Sequence, residues 1–425
     1  MKQILFPNDA EFWYETQRSF GNSAYGGGDF GEVLVISEQI TEGDYGSWYD
    51  AYLAAADRIA AEAEDALRAG HRVSARDGLL RASSYYRSAD FFLQGHPDDP
   101  PHYHAYDRSV ECFRQAAALF TVPVQPVAIP YENTTLPGYF YPAGDLAVPA
   151  PLVIIHTGYD GTMEEMHFQG AAAGAERGYN VLAFDGPGQG SLIRHQGMLF
   201  RPDWENVVGP VIDFALTLRG IDAERIVLWG VSMGGVLAPR AAAFEHRLAA
   251  LVAVDGVYDM GLTIRKYAGE IPDLEQRLRA DEDPELDAEF AKAIAVSPPM
   301  RWATRQGQWV FGAPTPRKAS AIQLDYNLRD GIAEKIACPA LICDAANDLY
   351  FEGQAKLLFD HLTCPKTFLE FTAEEGADAH CQVGAARLAM ARIYNWLDDT
   401  LASHTTAPAP ATRTSRPPVS MGAAG

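Results

Sequence analysis

Long hydrophobic runs are missing from this chain. None approaches the ~18–20 consecutive apolar residues that a spanning helix needs, so no transmembrane segment is expected. Basic side chains are scarce: 34 Lys and Arg stand against 56 Asp and Glu, for a net charge of −22. Such a surface repels phosphate backbones and anionic lipid, so neither nucleic acid nor a membrane is an expected partner. Cysteine is sparse and odd in number, with Cys112, Cys338, Cys343, Cys364 and Cys381 scattered along the chain. That usage fits a reducing cytoplasm better than a disulfide framework. The opening MKQILFPNDAEFWYE has one Lys, a short apolar patch and then Pro and acids, so no secretory signal is expected. No internal repeat is visible. What is present is ordinary globular material: 48% hydrophobic and 21% charged residues, which excludes wholesale disorder and collagen-like repeats. A length of 425 residues allows two or three domains, or a large α/β unit with additions.

Composition divides the chain. Residues from about 43 to 121 read as helices. SWYDAYLAAADRIAAEAEDALRAG places Trp48, Tyr52, Ala55, Ile59 and Ala63 at helical intervals and ends on Gly70. RDGLLRASSYYRSADFFLQG and YDRSVECFRQAAALF continue that pattern. From Val122 the character changes. VQPVAIPY and LPGYFYPA alternate and are joined by the polar ENTT, which predicts a hairpin. Short β-branched runs then recur at 152–156, 180–185, 225–230, 250–256, 340–344 and 367–371, with helical segments such as 202–219 and 235–246 between them. This alternation predicts an α/β fold, a mostly parallel sheet with helices on both faces. No strand appears over 257–331, which reads as a charged helical insertion above the sheet. Residues 402–425 are rich in Pro, Ala, Thr and Ser and read as a disordered tail.

The sharpest chemical signal is Gly230-Val231-Ser232-Met233-Gly234, followed by Gly235. It joins the strand RIVLWG to the helical VLAPRAAAFE. In that context G-x-S-x-G makes a sharp strand-to-helix turn that exposes the hydroxyl, and the glycines avoid a Cβ clash. The helix N-terminus then points to where an oxyanion would form. A serine in an ordinary βα turn is the competing reading. A serine hydroxyl is a poor nucleophile at neutral pH; it needs a base, and the base needs an orienting acid. The chain order for this turn is Ser, then Asp or Glu, then His, each on a loop after a strand. Asp348 follows ALICDAAN, and His380 follows TFLEFT within EEGADAHCQ. Asp344 and Asp378 are rivals for the acid: the first lies at its strand end, the second two residues from His380. Two backbone donors should hold the oxyanion. One is the N–H of Met233; for the other, the loop His156-Thr157-Gly158-Tyr159-Asp160-Gly161 offers Tyr159.

Two further clusters imitate sites. Asp185-Gly-Pro-Gly-Gln-Gly190 follows a strand, but its spacing misses G-x-G-x-x-G, so it reads as a structural loop beside the active site. His96, Asp98, Asp99, His102 and His104 fit no closed zinc spacing, and Pro100-Pro101 marks an exposed turn, so no metal is expected there.

The stretches RGYNVLAFDGPGQG, FRPDWENVV, GVSMGGVLAPRAAAFEHRLAA and EGADAHCQVGA resemble the α/β-hydrolases related to 2,6-dihydroxypseudooxynicotine hydrolase. They are also similar to fungal pigment-pathway hydrolases that shorten polyketides by carbon–carbon cleavage. The likeness extends through GGDFGEVL, SWYDAYLAAADRI and SARDGLLRASSYYRSADFF and covers most of residues 10–400. It implies an α/β-hydrolase fold with a helical N-terminal cap over 1–121, a catalytic domain over 122–401 carrying the 257–331 insertion, and substrate held between cap and core. It also implies a Ser232–Asp348–His380 triad, no cofactor, no metal and, in many members, a homodimer. Members cleave a carbon–carbon bond next to a ketone, or an ester or acyl bond. Glu164-Glu165 also matches the group, without an assignable chemical role.

The resulting expectation is a cytoplasmic serine-dependent hydrolase of a small aromatic or polyketide-like carbonyl compound. Trp48, Tyr85, Tyr86, Phe91 and Phe92 are candidates for the pocket wall, against the plainer reading as helix-bundle core. A cyclase or acyltransferase would use the same triad with an internal hydroxyl or amine in place of water. A non-catalytic binding scaffold would lack a triad member, and a peptidase would need a wider entrance.

Overall fold

The computed structural model describes residues 3–95, 100–269 and 271–406. Five helices come first: α1 Ala10–Asn22, α2 Phe30–Ser37, α3 Tyr45–Arg68, α4 Arg72–Asp90 and α5 Pro100–Ala117. Of the helical pattern read for α3, Trp48, Tyr52, Ile59 and Ala63 are buried along one face, with Ala56 rather than the half-buried Ala55 completing it. Asp44 caps its start by accepting the N–H groups of Gly46 and Ser47. Helix α1 lies ahead of the stretch that reads as helical. Asp9 caps it through the N–H groups of Glu11 and Phe12, and residues 11–19 are all buried. Its charged residues Glu11, Glu15 and Arg18 share one face, and that face is enclosed along with the aromatic one.

The sheet begins with β1 Gln125–Tyr131, β2 Thr134–Tyr141 and β3 Ala150–His156; α6 Ala171–Glu176 leads to β4 Asn180–Phe184. After α7 Gly190–Gln196 and α8 Glu205–Ala215 come β5 Ile221–Val231, α9 Gly234–Ala242 and β6 Ala250–Val254. The 257–331 segment is helical throughout its defined elements: α10 Met260–Ala268, α11 Leu274–Arg279, α12 Pro284–Val296, α13 Pro298–Val310 and α14 Pro316–Gln323. The chain closes with β7 Ala340–Ala345, α15 Gln354–His361, β8 Lys366–Phe371 and α16 Ala386–Thr406. Helix α16 passes the expected start of the tail at 402, because Leu397 and Leu401 still bury against the core. Residues 407–425 lie outside the described residues, as do His96, Asp98 and Asp99.

The eight strands form one sheet in the order β1-β2-β4-β3-β5-β6-β7-β8. The β1–β2 hairpin pairs antiparallel and joins β4 antiparallel; all other pairings are parallel. Every residue of β4 and β6 is buried, as expected for parallel strands covered on both faces. Alternation divides the side chains. Val153, Ile155, Val227 and Trp229 join a core with α3, α4 and α16. Leu152, Ile154, Ile226 and Leu228 join another with α8 and α9. The loops at the carboxyl ends of β3, β5, β6, β7 and β8 converge beneath α1 and α13.

Candidate active site

Ser232 occupies the turn between β5 and α9 with φ +61, a left-handed conformation that strains any residue with a Cβ. Its N–H donates to the Val254 carbonyl at the end of β6, which locks the turn to the neighbouring strand. Gly235 permits that closeness, since a Cβ there would collide with the Asp255 carbonyl oxygen. The Ser232 hydroxyl lies 2.9 Å from His380 Nε2, and His380 Nδ1 lies 2.8 Å from Asp348 Oδ2. Asp348 Oδ1 accepts the N–H groups of Tyr350 at 2.7 Å and Phe351 at 3.0 Å. Burial alone would lift the Asp348 carboxyl. The His380 charge and hydrogen bond, with these two N–H donors, hold it below the ordinary carboxylate value. Burial also works against an imidazolium at His380, but Asp348 outweighs it and lifts the group well above its ordinary value.

The structure therefore brings Ser232, Asp348 and His380 together. It does not bring Asp344 or Asp378 to the imidazole. Asp344 stays at its strand end, pushed up to about 7 by burial and by the nearby Asp255 and Asp348 carboxylates. Asp378 accepts the Asn347 side-chain amide at 2.7 Å. One acid escaped the sequence reading. Asp255, directly after β6, places Oδ2 3.2 Å from His380 Nδ1. Its position at the end of a buried strand was the available signal.

Tyr159 and Met233 both line the cavity in front of Ser232. Their two segments touch: a Cβ on Gly158 would stand 2.5 Å from the Met233 nitrogen, so glycine is required there. The Tyr159 loop is pinned from two sides. Gln189 donates to the carbonyls of Thr157 and Gly158 at 2.7 and 3.1 Å, and Gln306 donates to the Tyr159 carbonyl at 2.9 Å. The glycine-rich 185–190 turn is thus a brace for this loop. The Tyr159 hydroxyl donates to the Ala303 carbonyl at 2.7 Å, tying the loop to α13.

The N-terminal helices reach the same loop through buried charge. Arg18 on α1 meets Glu165 through Nε at 2.6 Å, Asp160 at 2.8 Å and Glu15 at 3.0 Å. Arg87 on α4 meets Glu15 at 2.7 Å and Asp160 at 2.8 Å. Burial would raise the Asp160 carboxyl, but the two guanidiniums keep it below its ordinary value. Glu165, one of the pair without a chemical role in the sequence, is thereby an anchor for α1. Glu164 instead accepts the Tyr139 hydroxyl at 3.1 Å beneath the loop. Glu11 on α1 accepts the Tyr350 hydroxyl at 2.6 Å, next to Asp348. Burial pushes the Glu11 carboxyl up to about 8.

A cavity of about 320 Å³ opens from Ser232 and His380. Glu15, Arg18 and Asp160 give it one polar side; Met260, Ile264, Leu286, Phe290 and Met300 give it an apolar wall. The 257–331 segment, heavily charged in sequence, therefore turns its apolar faces inward and supplies much of this wall. Of the five aromatic candidates from the N-terminal helices, Phe91 lines the cavity, stacked on Trp302 with ring centroids 4.4 Å apart. Trp48, Tyr85, Tyr86 and Phe92 pack in the helical core instead. Tyr14 of α1 also lines the cavity, with its ring 6.0 Å from that of His380. His102 is buried against Asp90, and His104 is exposed on α5.

Sheet order, the strained serine turn and loops gathered at the strand ends define a class. Residues 152–389 match the alpha/beta hydrolase family, and the chain belongs to it and is an enzyme of the hydrolase type. Hydrolase LUC6 of Fusarium sp. is 33% identical over 420 residues, covering 93% of this chain and 97% of the relative. Hydrolase ORFZ of Pyricularia oryzae is 35% identical over 410 residues, covering 91% and 96%. The 20-hydroxy-prefusarin hydrolase FUS2 of Gibberella moniliformis is 34% identical over 408 residues, covering 92% and 96%. Among solved structures, 2,6-dihydroxy-pseudo-oxynicotine hydrolase shares the fold, with a TM-score of 0.69 at 23% identity over 90% of this chain and 96% of that one.

Proposed function

We propose that the protein is a serine-dependent hydrolase that cleaves a small, largely apolar carbonyl compound through Ser232, His380 and Asp348. The observation that supports this most is the unbroken relay at the cavity: 2.9 Å from hydroxyl to imidazole and 2.8 Å from imidazole to carboxylate. His380 takes the hydroxyl proton as Ser232 Oγ bonds to the carbonyl carbon. The oxyanion rests on the N–H groups of Tyr159 and Met233, where one lost donor costs about 3–4 kcal/mol of barrier. His380 then protonates the leaving group as its bond to the acyl carbon breaks. Water, deprotonated by the same imidazole, releases the acyl-enzyme.

The scissile bond is a carbon–carbon bond beside a ketone, or an ester. A carbanionic leaving group must form as an enolate, which benefits from an enclosed, water-poor site. The apolar wall supplied by α10, α12 and α13 and the closure by α1 favour such a substrate. One relative is named for 20-hydroxy-prefusarin, and we take a metabolite-sized polyketide-like ketone or ester as the substrate class. On this reading the N-terminal helices act as a cap, and the enzyme works in the cytoplasm, with its five cysteines as free thiols, as a homodimer. The test is Ser232→Ala against a fluorophosphonate probe and a panel of β-diketones and aryl esters. Labelling should vanish, and turnover should fall by roughly 10⁴–10⁶-fold. Retention of a tenth of wild-type turnover would overturn the covalent mechanism. Product mass separates hydrolysis, which adds water, from cyclisation, which does not.

A further inference from the structure

Two carboxylates face one imidazole N–H, and the relay above uses only one. Asp255 Oδ2 lies 3.2 Å from His380 Nδ1, where Asp348 Oδ2 lies at 2.8 Å. The same Asp255 oxygen accepts the Cys381 N–H at 2.7 Å, and its other oxygen accepts the Gln382 side-chain amide at 2.6 Å. Cys381 and Gln382 hold left-handed φ values of 55 and 53°, so this carboxylate grips the His380 loop where it is most strained. Asp255 is 1% exposed, and among the described residues its ion pair is with His380. A buried carboxylate with no fixed cation is costly. One whose charged partner is a histidine is stabilised most when that histidine carries a proton, which is its state in the transition state for acylation.

We propose that Asp255 is a second positioning acid for His380, able to hold the imidazole N–H and its charge when Asp348 cannot. The proposal rests on the reading of Ser232 and His380 as nucleophile and base. The two carboxylates come from different strands, so they do not share a loop that a single substitution would displace. Asp348 is the better placed, since its other oxygen is held by two N–H donors. Asp255 is the better anchored to the residues that follow His380.

The test uses the full chain and three variants: Asp348→Asn, Asp255→Asn and the double. The rate of fluorophosphonate labelling and the pH profile of kcat/KM on an activated aryl ester are measured. The groups that face His380 and enter its titration are Asp348, Asp255, Cys381, Tyr14 of α1 and, from the loop after β3, Asp160. Loss of the sole acid in such a relay costs about 10⁴-fold. With Asp255 in reserve, Asp348→Asn should lose only ~10–10²-fold, and the double should fall to the ~10⁴-fold level. Asp255→Asn alone should lose less than about tenfold and lower the apparent pKa of kcat/KM, because one of two carboxylates facing the imidazolium becomes neutral. A 10⁴-fold loss in Asp348→Asn alone, a double no worse than Asp348→Asn, or an unmoved pKa in Asp255→Asn overturns the proposal. If Asp255→Asn does not fold, Asp348→Asn by itself decides between the two magnitudes. Failure of the underlying reading is distinct, because it appears as persistent turnover and labelling in Ser232→Ala.

Discussion

Replacing Arg18 with methionine removes one of two guanidiniums that join α1 and α4 to the loop behind Tyr159. In the native protein Glu15, Asp160 and Glu165 share Arg18 and Arg87, and every side chain in the cluster is at most 13% exposed. Without Arg18, three buried carboxyl groups face one guanidinium, and Glu165 keeps only a 3.4 Å approach from Arg87. Breaking a buried pair by deleting one partner costs about 3–5 kcal/mol, since the abandoned charge stays out of water. At roughly 2.1 cal/mol/K per residue, a chain of 425 residues unfolds with about 0.9 kcal/mol/K of entropy. The expected fall in Tm is therefore about 3–6 °C by calorimetry. Activity should suffer more than stability. Asp160 is bonded directly to Tyr159 in the chain, and a shift of ~1 Å in a positioning group can cost about 10²-fold. Arg18→Lys keeps the charge but not the fork that spans Glu165, and should recover part of both losses. Added salt should change little, because the cluster is shielded from solvent ions. If Arg18→Met melts within about 1 °C of wild type and keeps kcat/KM within twofold, the cluster does not hold the loop in the way described.

The base form of His380 is the reactive one, and its pKa lies above the ordinary histidine value, so kcat/KM should rise with pH through an apparent pKa above 6.5. A profile already flat at pH 6 would contradict this. Glu11, folded, keeps its proton up to about pH 8, against 4.5 for an unperturbed glutamate. The folded state thus binds the extra proton between those values, and stability should decline as pH rises, by at most about 1.4 kcal/mol per pH unit. Glu11→Gln, which is neutral throughout, should flatten the dependence of Tm on pH between 6 and 8; an unchanged slope would assign it elsewhere. Ala293 on α12 faces the cavity, so Ala293→Trp should fill it and raise KM at least tenfold for bulky apolar ketones or esters, while acetyl esters turn over nearly as before. Equal effects on both substrates would place substrate elsewhere.

Much of this protein is written locally in its sequence. Short, nearly continuous apolar runs over 152–156, 180–185 and 250–256 become β3, β4 and β6 because a strand buried on both faces needs nothing but apolar residues. The serine turn is legible for a similar reason. Gly230 and Gly235 stand where the backbone of α9 and the Asp255 carbonyl leave no room for a Cβ. Asp348 and His380 could be chosen because each follows a strand, and chain order does the rest. Tertiary structure alone decided the remainder. Asp255 reaches His380 across a sequence separation of 125, and it stands at the end of an apolar run in which one acid looks like a strand terminus. Helix α1 hides its role because Glu11, Glu15 and Arg18 resemble a solvated face until α4 and the Tyr159 loop enclose them. The 257–331 segment reads as charged, yet apolar residues between its charges, among them Met260, Ile264, Leu286, Phe290 and Met300, turn inward and line the cavity. Local sequence encodes which elements form and where the chain can bend. The pairing of buried charges, and the side of each helix that meets a cavity, exist only once distant segments have removed water from both.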